Sequence, residues 1–271
     1  DVKVTGVTVT APGSASVGAP FNVTVTATIH NNGPTTPVNT DTTLDLGLPP
    51  DCSKSPSGTQ LADNVSLATS TSQQVQATWS VTCTEPSAHT FSGSATIAID
   101  QTGITDSNPA NNSGSGSAGT NLTATSDVKV SGVSVSAPAS ADVGSPFNVT
   151  ATATLHNNGP YGPTNVDTTF TLSLPGDCTT SSPNPQTVQD TSLATSTATT
   201  VPASPATWSV TCTDPSAHSF SVTADAAVDQ LHVSDPNTAN NSGSGSAGTN
   251  VTTTSDVKVS GVSVSAPASA D

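Results

Sequence analysis

From Phe21 to His30 the chain alternates with a period of two. Phe21, Val23, Val25, Ala27 and Ile29 are apolar, and Asn22, Thr24, Thr26, Thr28 and His30 between them are polar. Such alternation gives an extended strand one face for a core and one for water. The pattern returns at Val75, Ala77, Trp79, Val81 and Cys83, at Leu44, Leu46 and Leu48, and at Phe91, Ala95, Ile97 and Ile99. The opening run changes phase, Val2 and Val4 giving way to Val7 and Val9 across Gly6, and a glycine at such a point predicts a β-bulge. A helical period is nowhere sustained. The turn signals APG, NNGP, LPPD, EPSA and DSNPANN separate the apolar runs, so the first half of the chain reads as a series of short strands.

The second half reads the same way because it is nearly the same sequence. DVKVTGVTVTAPGSAS opens the chain at Asp1, and its relatives start at Asp127 and Asp256, giving one repeat of 126 residues and one of 129. FNVTVTATIHNNGP answers FNVTATATLHNNGP, TWSVTCTEPSAH answers TWSVTCTDPSAH, and NNSGSGSAGTN recurs unchanged at 111 and 240. The chain is therefore a tandem array: residues 1–126, residues 127–255, and in 256–271 the first strand of a truncated third repeat. About seven strands per repeat predict tandem immunoglobulin-like β-sandwich domains in an all-β chain. Between Asn121 and Val130 there is no flexible Gly/Ser linker, so a stiff junction is expected. Strands of ten to twelve residues give a module roughly 35 to 40 Å long.

Composition narrows the function. Only 8% of residues are charged, with four Lys and no Arg against a formal net charge of −15. Nothing here neutralises a row of phosphates, which argues against nucleic acid as a partner. No apolar run approaches the 18 residues of a membrane span. Aromatics make up 3% of the chain, so small apolar residues must fill the cores and covalent support is useful. One cysteine pair per repeat supplies it: the duplication favours Cys52 with Cys83 and Cys178 with Cys212. A loop of about thirty residues closed in this way contributes on the order of 3 to 4 kcal/mol by chain entropy. Reduced structural cysteines are the alternative; zinc is disfavoured because neither pair has close metal-ligand spacing and no His sits near enough in sequence to complete a set. Disulfides place the chain in an oxidising, extracellular setting. The second cysteine interval is three residues longer than the first, and a length change confined there predicts a surface loop.

The order DVKVxGVxV, a Gly-Ala/Ser-Pro-Phe strand, the HNNGP turn, LPxDC and DxNxANN before the last strand resembles the CARDB-like, immunoglobulin-like repeats of bacterial and archaeal cell-surface proteins. The likeness covers both repeats, and NNGP with NPANN or NTANN are its most specific parts. It implies a sandwich repeated along stalks, adhesins and cell-surface filaments, with no catalysis and no cofactor. The paired cysteines are not general among such repeats.

Candidate chemistry is sparse. His30 and His156 alternate onto the outer face, and His89 and His218 follow a PSA turn, where solvated strand-end residues are expected. No Ser-His-Asp set stands out among so many hydroxyls. Asp100, Asp106 and Asn108, matched by Asp229, Asp235 and Asn237, offer calcium-type oxygens around one loop, without an EF-hand pattern. Lys3, Lys129 and Lys258 on first strands, with Asn112 and Asn241 before the last, suggest an isopeptide bond, yet alternation with Val2 and Val4 turns Lys3 to solvent. Seven sequons head N-x-S/T, at Asn22, Asn64, Asn111, Asn121, Asn148, Asn240 and Asn250, and covalent glycans are expected partners there. Asn22 and Asn148 lie on the outer face of their strand. The reading is a structural repeat of an extracellular prokaryotic filament, sheath or stalk that self-associates with neighbouring copies or repeats. A passive extender in a cell-surface adhesin, with the binding domain elsewhere, is the second reading.

Overall fold

The computed structural model describes residues 1–35 and 37–268. It is all-β, with its sheets in a sandwich-like arrangement. The chain divides into two compact units, Asp1–Ser126 with Gln230–Pro236, and Asp127–Asp229 with Asn237–Asp271.

The first unit carries β1 (Val2–Thr10), β2 (Ser14–Ser16), β3 (Phe21–Asn31), β4 (Val38–Gly47), β5 (Cys52–Ser55), β6 (Gln60–Leu67), β7 (Ser72–Cys83), β8 (Ala88–Ile99) and β9 (Ser113–Thr125). One sheet has the order β1-β3-β7-β5; the other runs β9-β8-β4-β6, with β2 parallel to β9. Two of these strands are only three and four residues long, and neither short run carries an alternation that sequence reading can detect. The second unit carries β10 (Val128–Ser136), β11 (Ser140–Asp142), β12 (Phe147–Asn157), β13 (Thr164–Ser173), β14 (Cys178–Thr180), β15 (Gln186–Leu193), β16 (Ala198–Cys212) and β17 (Ala217–Val228). A two-residue strand, β18 (Val233–Ser234), runs parallel to Ala124 and Thr125 and belongs to the first unit. The second unit closes with β19 (Ser242–Thr252), its sheets being β10-β12-β16-β14 and β11-β19-β17-β13-β15.

The alternation fills the cores as it predicts. Val23, Val25, Ala27 and Ile29 of β3 are wholly buried, together with Trp79 and Val81 of β7 and Phe91 of β8. In the second unit Val149, Leu155, Trp208, Phe170 and Phe220 do the same. Gly6 and Gly132 sit where the β1–β3 and β10–β12 registers shift, so both are β-bulges.

The NNGP turn is organised by its first asparagine. Asn31, 1% exposed, accepts the Gly33 N–H on Oδ1 at 2.9 Å, while its Nδ2 donates to the Thr35 and Leu67 carbonyls. Asn157 repeats this with Gly159, Tyr161 and Leu193. A buried amide with its partners supplied this way costs little, and the turn is locked.

NNSGSGSAGTN looks like a linker and is a strand. Its serines are exposed, and the glycines between them face the first strand, Gly114 and Gly116 toward β1, Gly243 and Gly245 toward β10. A Cβ on Gly114 would come within 2.9 Å of the Val4 side chain, and one on Gly116 would fall on the Val7 carbonyl oxygen. Glycine lets the two backbones approach.

One expectation needs correcting. The three extra residues of the second repeat are not in a loop between strands: β16 is three residues longer than β7. Ala151 pairs with Ala206 but Ala153 with Val201, whereas Val25, Thr26 and Ala27 pair with Ala77, Gln76 and Val75 without a break. The insertion is a bulge in mid-strand, with Ala203, Ser204 and Pro205 exposed. Prolines 202 and 205 have no N–H to give the ladder, so the chain leaves it there.

Residues 253–268 form no strand. Val257, Val259, Val262 and Val264 are 79–88% exposed, although the same sequence at Val128 and Val130 is buried in β10. The edge places beside β3 and β12 are already filled by β1 and β10. Positions 269–271 of the third-repeat segment lie outside the described residues.

Candidate functional site

Each unit concentrates its reactive side chains at one place, where the short strand β5 or β14 meets the end of β7 or β16. Cys52 lies directly across the ladder from Cys83, and Cys178 from Cys212. Both pairs are disulfides, and no described cysteine is free.

Beside each disulfide stands a buried histidine. His89 and His218, expected at solvated strand ends, are 5% and 7% exposed. The position after the PSA turn is inward because β8 and β17 begin one residue earlier, and alternation then points His89 and Phe91 the same way. The two rings stack at 6.5 Å. His89 Nδ1 lies 2.9 Å from the Ser87 carbonyl and Nε2 lies 2.8 Å from Asp51 Oδ2. In the second unit the distances are 2.9 Å to Ser216 and 2.7 Å to Asp177. A carbonyl only accepts, so Nδ1 carries a proton. Nε2 meets a carboxylate, so a proton lies between ring and acid and the two are joined by a hydrogen bond.

Both carboxyls sit below their ordinary value. For Asp51, burial alone would raise it, but the His89 hydrogen bond and backbone N–H donors, Glu85 among them, together outweigh burial. For Asp177 the His218 hydrogen bond is the largest influence and outweighs burial. The aspartate is thereby tied to the strand after the disulfide: Glu85 N–H reaches Asp51 Oδ2 at 3.2 Å, and Thr84 N–H reaches the Asp51 carbonyl. The sequence held a signal for this cluster. The pair Asp-Cys, and a His six residues after the second Cys, recur in both repeats.

Two acidic clusters also form. Carboxylate oxygens of Asp41, Asp63 and Asp100 lie within 4.8 Å of one another, as do those of Asp167, Asp190 and Asp229. The expected calcium residues are thus divided. Asp100 and Asp229 join these clusters, whereas Asp106 Oδ1 accepts the Asn108 N–H at 3.0 Å. Asn237 donates to Asp127. Asp63 and Asp100 are exposed, so the charges are solvated.

The sequons fall into two groups. Asn22, Asn64, Asn121, Asn148 and Asn250 are exposed. Asn111 and Asn240 are half-buried, and their Nδ2 atoms donate to Asp1 at 3.1 Å and Asp127 at 2.9 Å. A glycan on either nitrogen would leave it a single N–H for that bond. Lys3 and Lys129 stand opposite His30 and His156 on the outer side of the first sheet, Lys129 exposed and Lys3 half-buried. Asn112 is half-buried and Asn241 is buried. His30 Nδ1 is 2.9 Å from the Ser72 hydroxyl. No described helix is long and apolar enough to cross a membrane.

No family model matches the chain, and no curated protein does. Among solved structures it is similar to red sea bream transglutaminase at a TM-score of 0.29 and 13% identity, over 92% of this chain and 31% of that one. A Salmonella α2-macroglobulin variant gives 0.30 and 14%, over 91% and 16%. Escherichia coli α2-macroglobulin gives 0.26 and 11%, over 92% and 17%. The chain therefore spans less than a third of the length of these proteins.

Proposed function

We propose that the chain is a structural repeat of an extracellular prokaryotic filament, sheath or stalk, built from tandem immunoglobulin-like modules of the CARDB-like kind. One observation carries the reading: the second unit reproduces the strand order of the first, and the register too except at the bulge in β16, with Val2 opposite Asn31 and Val128 opposite Asn157. Repeats whose contacts are largely internal build an array by simple addition, each unit meeting the same neighbours. Residues 256–268 repeat the sequence that forms the first strand of the second unit. The two disulfides support a secreted setting.

The outer faces suit close neighbours. On β3 and β7 they carry hydroxyls and amides in rows, with Thr24 and Thr78 joined at 2.8 Å. Such surfaces hydrogen-bond without strong repulsion between copies. Glycans at Asn22 and Asn148 would occupy that face and leave lateral contact to the sheet edges or the opposite sheet. Electron microscopy of native material, with intact-mass measurement, tests this: regular lateral contacts between chains and sugar on Asn22 are expected. Isolated strings of beads would favour the second reading, an extender of a cell-surface adhesin. Unmodified Asn22 and Asn148 buried between chains would reverse the assigned contact face.

A further inference from the structure

In each unit four potential metal ligands converge on one point. The ligand atoms of Asp51, Cys52, Cys83 and His89 all lie within 4.8 Å of one another, and so do those of Asp177, Cys178, Cys212 and His218. While the sulfurs are joined, neither is an anionic ligand and the cluster is only a hydrogen-bonded pair beside a disulfide. Opening the bond changes its chemistry to two thiolates, an imidazole and a carboxylate, a donor set suited to a tetrahedral zinc ion. We propose that each unit, when its disulfide is reduced, binds one Zn²⁺ through these four side chains.

Three features of the surroundings favour a metal over a mere cavity. Cross-strand pairing sets Cys52 directly opposite Cys83, so both sulfurs issue from facing positions of one ladder. The sulfurs need to part only to about 3.8 Å, the separation that two Zn–S bonds of about 2.3 Å impose in a tetrahedron. The Ser87 and Ser216 carbonyls hold Nδ1–H at 2.9 Å, which leaves Nε2, beside the Asp51 or Asp177 carboxylate, as the ring nitrogen able to ligate. A ligating histidine is commonly oriented by such a bond. The Glu85 and Asp214 N–H groups likewise steady the carboxylate oxygens. On binding, zinc replaces the shared proton between His89 and Asp51. Sequence distance hid this site, because His89 reaches Cys52 only through the fold.

The balance is simple. A phosphine gives two electrons to the S–S bond and takes an oxygen from water to become the phosphine oxide, and two thiols form. Zn²⁺ then displaces the two thiol protons and the proton that lies between Nε2 and the carboxylate. Oxidation by a thiol oxidase or a disulfide would eject the ion, so the metal-bound form belongs to the chain before its bridges close.

The test uses the full chain, reduced anaerobically with a water-soluble trialkylphosphine and titrated with Co²⁺ as a spectroscopic stand-in, followed by Zn²⁺. Expected are the visible bands of tetrahedral cobalt and thiolate charge-transfer bands saturating at one ion per unit, and their loss on adding zinc. The oxidised chain should show neither. Replacing both His89→Gln and His218→Gln should weaken binding about tenfold or more, and X-ray absorption on the zinc form should report two sulfurs with two lighter ligands. Trp79 and Trp208 fluorescence follows the fold in parallel. A reduced chain that unfolds and is refolded by the metal supports the proposal. A reduced chain, folded or unfolded, that gives no tetrahedral cobalt spectrum overturns it, as do bands unaffected by the histidine substitutions.

Discussion

At the scale of single residues, two positions carry more than their size suggests. Asp51 and Asp177 have carboxyls held below their unfolded value of about 3.9. A group depressed in this way contributes stability that is fully present above the unfolded value and is lost as pH falls through the folded one. Urea midpoints should therefore decline below about pH 4, and His89→Gln should flatten the decline for the first unit, because the largest lowering influence on Asp51 is then gone. Gly116 is the second case. Its missing side chain makes room for the Val7 carbonyl, which no rotamer change can move aside. Gly116→Ala should cost about 1–3 kcal/mol, as overpacking does, read as a lowered denaturation midpoint. An exposed neighbour such as Ser115→Ala should be within about 0.5 kcal/mol of wild type.

Elements make different demands on the two units. β16 tolerates a three-residue bulge where β7 is straight, and the flanking pairs are kept on both sides. Deleting residues 203–205 together with Pro202→Gln, the residue the first unit has at Gln76, should close the register to that of the first unit and change stability by less than about 1 kcal/mol, since extra surface residues add little; chemical denaturation checks this. The disulfides act on β5 and β14, which are four and three residues long and too short to hold by ladder bonds alone. Cys83→Ser with Cys52→Ser should lower the stability of the first unit by about 3–4 kcal/mol and leave the second nearly unchanged. Calorimetry would then show two separated transitions. A single shared transition would mean that the units do not melt independently.

For the whole molecule, the bridges limit how far a pulled chain can extend. Each encloses residues that tension cannot reach, with separations of 31 and 34. At about 3.5 Å per residue, reduction should lengthen the two unfolding steps by roughly 110 and 120 Å in single-molecule stretching. Equal step lengths before and after reduction would show that the bridges had not formed. For a load-bearing repeat, this restriction keeps part of each module from extending under force.

Sequence alone determined the strands, because a period of two names the buried face of β3, β7 and β8 without further knowledge. It also determined the repeat, the bulges at Gly6 and Gly132, and the pairing of cysteines within each unit. The tertiary structure decided what depends on contacts between distant residues. Only the fold shows that NNSGSGSAGTN is a strand, since its glycines matter through the backbone of β1 and nothing local distinguishes them from a linker. Only the fold turns His89 and His218 inward, because the phase of β8 and β17 is set by pairing with their neighbours. The insertion of the second repeat became a bulge because the register of β16 is fixed on both sides by β12. The cluster of Asp51, Cys52, Cys83 and His89 left a recurring pattern in the sequence but not its geometry: its four side chains come from three separate stretches, and pairing and packing in space are what make them neighbours.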